Sequence, residues 1–321
     1  MKRTLLAIVI GLKVICCEGQ ITTSKVAPLA TDTYAAPYDS TMNFLGKDVR
    51  KYIGQELYLN NTAESLRKYG YRGFLLDYTL SPFAQSNIYK CCESFNSKYA
   101  DLAGKYFLVL DVIKHPKAED VTGLYATKYF LKLKEKVSRD ILYFEYDSRF
   151  EHTFQFVVVG YFTKMKQNSA GKEYIVKGKN WISSSESMAD MRTGKPVSEF
   201  ERGSKWKCVD LTIEERFYTI SYVLENSKGE QIPLSIDNAS RHNWVFEATE
   251  AEQFRARFGN ENWDKILNEK VKIGMTKEMC LLSWGEPKNR NSTITEGNST
   301  EQWVYDSGNL YFKNGVLTMI Q

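Results

Sequence analysis

Residues 44–180 carry short runs of alternating apolar and polar positions, which is the pattern of half-buried strands. The run YFLKLK at 129–134, for example, places Tyr129, Leu131 and Leu133 on one face and two lysines on the other. Turn residues such as Gly171 separate these runs. The strand candidates are 52–59, 71–76, 106–113, 129–134, 141–146, 154–165 and 173–176. The pattern predicts a β-rich domain over 44–180, built as a small antiparallel sandwich or barrel.

A second, shorter β-unit is predicted over 203–247, and its sequence echoes the first. The segment GKYFLVLDV at 104–112 is similar to GSKWKCVDL at 203–211, and 129–147 is similar to 219–237 at an offset of 90, which aligns Glu135 with Glu225. The echo indicates either a duplicated strand motif or two unrelated aromatic-rich strand pairs. The tandem units loosely resemble Src-homology-type small barrels, a likeness that concerns the fold alone. Between them, 181–202 is rich in Ser, Met and charged residues and is predicted to be a linker.

After residue 247 the pattern becomes helical. Thr249 and Glu252 have the spacing of a capping box, and Gly259 is a typical helix stop. A second helix is expected from Thr276, its N-cap, to Gly285. Aromatic runs then follow at 301–305 and 309–312, and the NG pair at 314–315 predicts a tight hairpin into 316–320. The sequence therefore predicts an α+β domain over 248–321, with helices packed on a three-stranded antiparallel sheet.

The C-terminal segment resembles a known family. The motifs GMTKE at 274–278, WGEP at 284–287, QWVY at 302–305 and LYFKNG at 310–315 occur in this order. Over about 265–321 they resemble the SmpA/OmlA family, the BamE-like domain named for a small lipoprotein of the outer-membrane β-barrel assembly machinery. The resemblance implies two helices on a three-stranded sheet, no catalysis, and contact with proteins or lipid headgroups.

The N-terminus has the pattern of an export signal. Lys2 and Arg3 precede an apolar run of about nine residues, which is too short to span a bilayer. Residues 1–19 are therefore predicted to be a signal peptide, and 20–43 a linker to the first β-unit. Cys17 is the candidate site of lipidation, and simple cleavage near Gly19 is the alternative. We expect no transmembrane helix in the mature chain, with a lipid anchor at Cys17 as the alternative to a free protein.

Composition and charge narrow the class of protein. Hydrophobic residues make up 43% of the chain and charged residues 26%, so there is enough apolar surface for folded cores. The net charge is only +4, and lysines lie interspersed with acidic residues, so we do not expect nucleic-acid binding. The predicted location is the periplasm or the outer membrane of a bacterial envelope.

The search for chemistry finds no serine-hydrolase elbow, zinc helix, Walker loop or dinucleotide-binding turn. Cys91 and Cys92 are expected to bond separate partners or to remain free, because neighbouring cysteines rarely bond each other. Either could pair with His115 as nucleophile and base, which is the sharpest enzyme hypothesis. Cys208 and Cys280 are expected to be small buried hydrophobes. The two remaining histidines, which we expect at the surface, are His152 and His242.

The sequence thus predicts a non-enzymatic, exported cell-envelope protein that acts as a protein-binding or structural scaffold, without a cofactor or a metal. The alternative is an envelope hydrolase or a glycan-binding protein of unfamiliar type. The expected partner is accordingly an envelope protein or a glycan. The aromatics Trp181, Trp244 and Trp303 are candidates for stacking on such a partner, although core packing is the simpler reading.

Overall fold

The computed structural model describes residues 37–120, 122–177, 189–197, 200–214, 218–295 and 297–321. Strands outweigh helices, 36% against 24%, so the prediction of a mainly β protein is confirmed. The strands form three open antiparallel sheets and one separate hairpin. Within the described ranges no sheet closes into a barrel, so the predicted barrel is wrong.

The first β-unit begins with a 3-10 helix, Gly46–Tyr52, and ends at the strand Phe156–Val158. In chain order the elements are β1 (Glu56–Leu59), α1 (Glu64–Arg67), β2 (Phe74–Leu75), a 3-10 turn (Gln85–Asn87), β3 (Cys91–Glu93), β4 (Asn96–Ser97), α2 (Tyr99–Leu102), β5 (Tyr106–Lys114), β6 (Lys128–Glu135), β7 (Ile141–Asp147), a 3-10 turn (Glu151–Thr153) and β8 (Phe156–Val158). Six of these strands form one sheet in the order β2-β7-β6-β5-β1-β8, and β3 and β4 form the separate hairpin.

The second β-unit follows directly after β8. Its elements are α3 (Val159–Ser169), β9 (Glu173–Val176), β10 (Lys205–Ile213), β11 (Ile220–Glu225), β12 (Gln231–Ser235), α4 (Ile236–His242) and β13 (Val245–Glu247). Its five strands form one sheet in the order β12-β11-β10-β9-β13.

At the junction of the units one strand prediction is wrong, and another is confirmed as a strand but belongs to the second sheet. The candidate 154–165 forms a strand only at Phe156–Val158 and then becomes α3, because Phe162 and Met165 have helical spacing and pack in the second core. The candidate 173–176 is a strand, but it pairs with β10 and β13 in the second sheet instead of joining the first.

The two β-units share one topology. The order β7-β6-β5-β1-β8 in the first sheet corresponds to β12-β11-β10-β9-β13 in the second, and a helix begins directly after β8 and after β13. Both central strands carry a bulge at the same place, between Val109 and Asp111 in β5 and between Cys208 and Asp210 in β10. A shared strand order and bulge favour the duplicated motif over two unrelated strand pairs.

Backbone hydrogen bonds confirm the correspondence of the two units and shift the sequence alignment of one strand pair by one residue. Leu59 exchanges backbone bonds of 2.9 and 3.0 Å with Lys105 and Gly104, and Val176 exchanges equivalent bonds with Ser204 and Gly203. The register then equates Lys134 with Glu225, one residue away from the alignment of Glu135 with Glu225. The turn between β6 and β7 is one residue longer than the turn between β11 and β12, so an alignment without gaps cannot keep both strands in register.

The C-terminal unit contains three helices and a four-stranded meander in the order β14-β15-β16-β17. The predicted three-stranded sheet is therefore one strand short. The additional strand β14 is polar throughout most of its length, so it lacks the alternation that sequence analysis looks for. The elements are α5 (Ala248–Phe258), α6 (Asn260–Leu267), α7 (Lys277–Trp284), β14 (Asn289–Thr295), β15 (Asn298–Tyr305), β16 (Gly308–Lys313) and β17 (Val316–Ile320).

Three of the predicted helix and turn signals are confirmed and one is wrong. The Thr276 hydroxyl accepts a bond from the Met279 amide at 3.3 Å, so Thr276 is the N-cap of α7. Gly259 follows the end of α5, and Asn314 and Gly315 have the positive φ angles, 49° and 81°, of the expected hairpin turn. Thr249, however, lies inside α5, and its hydroxyl contacts the Glu247 carboxylate instead of capping the helix.

The three cores are stacked, and residues of one sheet reach into the next core. Tyr58 in β1 and Val157 in β8 pack in the second cluster, behind their own sheet. Ile175 in β9 and Phe246 in β13 occupy the equivalent positions and pack in the third cluster. Each unit therefore covers the back of the preceding one, which explains why the sheets stay open instead of closing on themselves.

The predicted linkers are partly built into the fold. Of 20–43, the part 20–36 lies outside the described residues, but Asn43 bonds the backbone of both Phe156 and Val158 at 2.8 Å. Of 181–202, the parts 181–188 and 198–199 lie outside the described residues, but Asp190 accepts a bond from the Gln231 amide at 2.9 Å. Among the helices that the structure describes, none is long and apolar enough to cross a bilayer.

Candidate functional site

Cys91 and Cys92, both in β3, form a disulfide with each other. The expectation of separate partners or free thiols is therefore wrong, and the bond leaves neither cysteine as a thiolate. His115 stacks on Tyr125 with ring centroids 4.3 Å apart, and its Nδ1 accepts a bond from the Lys117 amide at 3.1 Å. Burial lowers the pKa of His115. The hypothesis that Cys91 or Cys92 acts as a nucleophile with His115 as its base therefore lacks a free thiol.

The other two cysteines are buried free thiols, as predicted. Cys208 and Cys280 are both fully buried. Burial raises the pKa of Cys208 to about 11 and that of Cys280 to about 12, because the apolar surroundings disfavour the thiolate. Both side chains therefore act as small hydrophobic residues in their cores.

An aromatic groove of about 700 Å³ lies beside the disulfide-bonded hairpin, on the first β-unit. It runs between the hairpin tip, the loop before the first 3-10 turn and the loop between β5 and β6. We call it the aromatic groove because seven rings line it, namely Phe74, Tyr78, Phe83, Phe95, His115, Tyr125 and Phe130. Phe83 is 78% exposed and Phe95 is 67% exposed, so two large rings at its edge face solvent.

The hairpin tip presents Phe95 in an unfavourable backbone conformation. Ser94 and Phe95 have φ angles of 48° and 60°. This pair of positive angles belongs to a turn that normally takes Asn-Gly, and a bulky residue there costs roughly 1–2 kcal/mol. Strained backbone that displays a ring to solvent marks a candidate binding site.

The charge along the aromatic groove is positive. Lys128 pairs with Glu145, and Arg72 and Lys117 form no ion pair within the described ranges. The Lys117 ammonium lies 5.9 Å from the centre of the Tyr125 ring. An apolar partner that carries acidic groups would match both the rings and the excess of cations.

A second, larger space lies between the two β-units, and we call it the inter-unit cavity. Its volume is about 890 Å³. Its lining comes from residues within 41–44, 60–71 and 151–157 of the first unit, from Tyr161 and Met165 of α3, and from 218–220 and 236–237 of the second unit. His152 lies at its exposed rim with Glu151.

Polar groups in the inter-unit cavity are held in fixed positions. Asn60 donates its Nδ2 to the Tyr218 carbonyl at 2.5 Å, and the Tyr71 hydroxyl donates to the Asn60 carbonyl at 2.7 Å. Arg67, which lies next to the cavity and is not part of its lining, donates to the Tyr218 hydroxyl at 3.0 Å. Burial raises the pKa of Tyr161, helped by the carboxylates of Glu151 and Asp237. The site is therefore built from side chains that are anchored from both units.

The remaining candidates from the sequence do not meet in one place. Trp303 is 1% exposed in the C-terminal core, and Trp244 packs against the second core, so neither is a free stacking platform. Trp181 and Cys17 lie outside the described residues. His242 lies in α4. Among the described residues, no group of three or more His, Cys, Asp or Glu could hold a metal ion.

Comparison with known proteins gives no family. No protein-family model, curated protein or solved structure matches the chain. The resemblance of 265–321 to the BamE-like domain therefore stays a prediction.

Sequence reasoning missed both the aromatic groove and the inter-unit cavity. The groove had one readable signal, the apolar pair Leu80 and Phe83 around Ser-Pro, which is unusual for a solvent-exposed turn. The cavity had no such signal, because residues 218–220 reach Asn60 and Gln155 only through the stacking of the two units.

Proposed function

We propose that this chain is a non-enzymatic, exported protein of a bacterial cell envelope, in which stacked β-units hold a protein partner. The partner is proposed to bind the aromatic groove through an apolar segment that carries acidic side chains. The observation that carries the proposal is the exposure of Phe83 and Phe95 on a positively charged groove.

Other features support this reading over the hydrolase alternative. The disulfide between Cys91 and Cys92 removes the thiol nucleophile, and a disulfide is typical of an oxidising compartment such as the periplasm. The N-terminal export pattern points to the same compartment, with Cys17 as the proposed lipid-anchor site.

The BamE-like resemblance is retained as part of the proposal. It is supported by the order of two helices, α6 and α7, followed by an antiparallel meander over the segment that carries the motifs. β14 is an addition to the implied three-stranded sheet. In this reading the C-terminal unit is an accessory module for contact with proteins or lipid headgroups, attached to a longer β-rich chain.

Crosslinking in cells followed by mass spectrometry tests the proposal. We expect the full-length protein to crosslink to a specific envelope protein through residues that line the aromatic groove, at an acidic and apolar segment of that partner. The double variant Phe83→Ser, Phe95→Ser should lose the crosslink. The matched control Ile294→Ser, which alters an apolar side chain that is 81% exposed on the C-terminal unit, should keep it.

A synthetic peptide of the crosslinked partner segment should then bind the wild-type protein and not the double variant. The proposal is overturned if crosslinks persist in the double variant, if they map to another face, or if the groove captures only glycans.

A further inference from the structure

One long sheet edge of the molecule is left uncovered. β14 is an outer strand of the C-terminal sheet, and all seven of its residues pair in register with β15 without a bulge. Its sequence NRNSTIT contains neither lysine nor proline, and each residue from Lys288 to Ile294 is exposed. The outer backbone N–H and C=O groups of such an edge are a template for a further strand, which natural sheets usually block with short strands, lysine, proline, bulges or a covering segment.

The other outer strands of the three sheets are protected in these ways. β2 and β13 are only two and three residues long. Asn43 bonds the backbone of β8, and the Met191 amide bonds the backbone of β12 at 2.8 Å. In β17, at the opposite edge of the C-terminal sheet, Leu317 exchanges two backbone bonds of 2.8 Å with Gly274 and Met275. Among the described residues, none forms a comparable backbone bond to the outer edge of β14.

We propose that β14 pairs along this edge with β14 of a second copy of the chain. The two strands run antiparallel about a two-fold axis and join two four-stranded sheets into one continuous sheet. The proposal goes beyond the aromatic groove and is independent of it, because the groove lies on the first β-unit.

The sequence of β14 fits a copy of itself. A register centred on Ser292, the middle residue of the strand, sets Arg290 opposite Ile294 of the second copy and Asn291 opposite its Thr293. Opposite side chains of an antiparallel pair lie on the same face, where an amide and a hydroxyl can bond each other. Arg290 is the only charged residue of β14, so no like charges meet across the axis.

The charge of Arg290 is already neutralised within its own chain. Its guanidinium pairs with Glu286 and lies 4.7 Å from the centre of the Trp303 ring. Arg290 and Ile294 lie on the same face of β14, because strand side chains alternate. In the proposed pair the methylene stem of Arg290 packs beside Ile294 of the second copy, a side chain that is 81% exposed in the single chain. The contact therefore covers the one large apolar side chain of the strand.

Sedimentation velocity of the purified protein over a range of concentrations tests the proposal. We expect a reversible equilibrium between monomer and dimer. The double variant Asn291→Lys, Thr293→Lys sets like charges opposite each other and should weaken dimerisation by roughly tenfold, and so should Asn291→Glu, Thr293→Glu. Both positions are exposed and face the neutral Gln302 and Thr300 on β15, so the new charges should leave the hairpin folded.

An equimolar mixture of the two double variants should recover the dimer, because opposite charges then meet across the axis. The matched control is Thr318→Lys, which adds a charge at an exposed position of β17 on the opposite edge of the same sheet. This variant should dimerise as wild type does.

Disulfide trapping tests the register. Facing residues of an antiparallel pair have Cα atoms about 4.5–5.5 Å apart, which a disulfide can span. Under oxidising conditions Ser292→Cys should give a disulfide-linked dimer, and Thr318→Cys should not.

The proposal is overturned if wild type is monomeric at every concentration measured, if the mixture fails to recover the dimer, or if Ser292→Cys forms no linked dimer. A disulfide from Ser292→Cys to a different protein in cells, with wild type monomeric in isolation, would assign the edge to another partner and would equally overturn it.

Discussion

Lys177 shows how one buried charge joins two units. It is 1% exposed, and its ammonium donates to the Leu282 and Ser283 carbonyls at the C-terminal end of α7. The last carbonyls of a helix lack partners within the helix and carry partial negative charge, so an ammonium satisfies them well. Burial lowers the pKa of Lys177 to about 8, and Glu269 opposes this shift. The contact thus depends on a lysine that titrates near neutral pH.

Replacing this lysine gives the first prediction. Because the native pKa is about 8 and the unfolded pKa is near 10.4, the unfolded chain binds more protons between these values. The contribution of Lys177 to the free energy of unfolding therefore rises with pH, by at most about 3 kcal/mol across this window. Urea unfolding at several pH values from 7.5 to about 10.5 should show wild type gaining stability relative to Lys177→Met.

The control for that experiment is Lys313→Met, which alters an exposed lysine on β16. The free energy of unfolding of this variant should change with pH in the same way as that of wild type. If the free energy of unfolding of Lys177→Met also changed with pH in the same way as that of wild type, the pKa assigned to Lys177 would be contradicted.

At the scale of single residues, the sequence predicted which side chains are buried better than it predicted which side chains lie in contact. Cys208, Cys280 and Trp303 could be recognised as core residues because their neighbours are apolar. The disulfide between Cys91 and Cys92 could not be predicted from the sequence, since it depends on the local geometry of the hairpin. Lys177 gave no signal either, because the carbonyls that allow its burial lie more than a hundred residues away in sequence.

Helix α3 is the element that joins the two β-units. It begins directly after β8, its Phe162 is fully buried in the second core, and it leads into β9. Gly160 lies in its first turn, where a Cβ would come within 2.6 Å of the Tyr38 Cβ and 3.2 Å of the Gln55 Oε1. The absence of a side chain at 160 therefore allows residue 38 to pack against the helix.

Substitution of Gly160 gives the second prediction. Within a helix Gly→Ala normally stabilises, by up to about 1 kcal/mol in the helix interior, but here the clash with Tyr38 should reverse the sign and cost roughly 1–3 kcal/mol. In the Tyr38→Ala background the same substitution should become neutral or stabilising. Urea unfolding of the four proteins measures this coupling. Equal effects of Gly160→Ala in both backgrounds would show that Tyr38 does not constrain the helix.

At the scale of elements, the strands with clear alternation were predictable and the others were not. β5, β6 and β7 were found because their apolar positions repeat with a period of two. β14 was missed because a strand of polar residues has no such period. The segment 154–165 was misassigned because a run of β-branched and aromatic residues fits either structure until the packing partner is known.

The stacking of the three units leads to a prediction for the whole molecule. In a chain that ends at Glu247, Phe246 and Ile175 would lose their cover, and Lys177 would lose both of its carbonyl partners. Because coupling in stacked repeats passes between neighbours, hydrogen exchange should accelerate in β9 and β13 much more than in β6. Uniform acceleration, or none in β9 and β13, would contradict this arrangement.

The duplicated topology also determines how the chain can be divided. β9 is followed in sequence by β10, and β9 lies between β10 and β13 in the second sheet. A cut in the segment that connects β9 to β10 would give an N-terminal fragment that ends with the fourth strand of that sheet and a C-terminal fragment that holds the other four. Neither fragment would possess a complete second sheet, and each would supply what the other lacks. The molecule is therefore a natural candidate for fragment complementation, in which two separately produced halves recover one folded protein only when they meet.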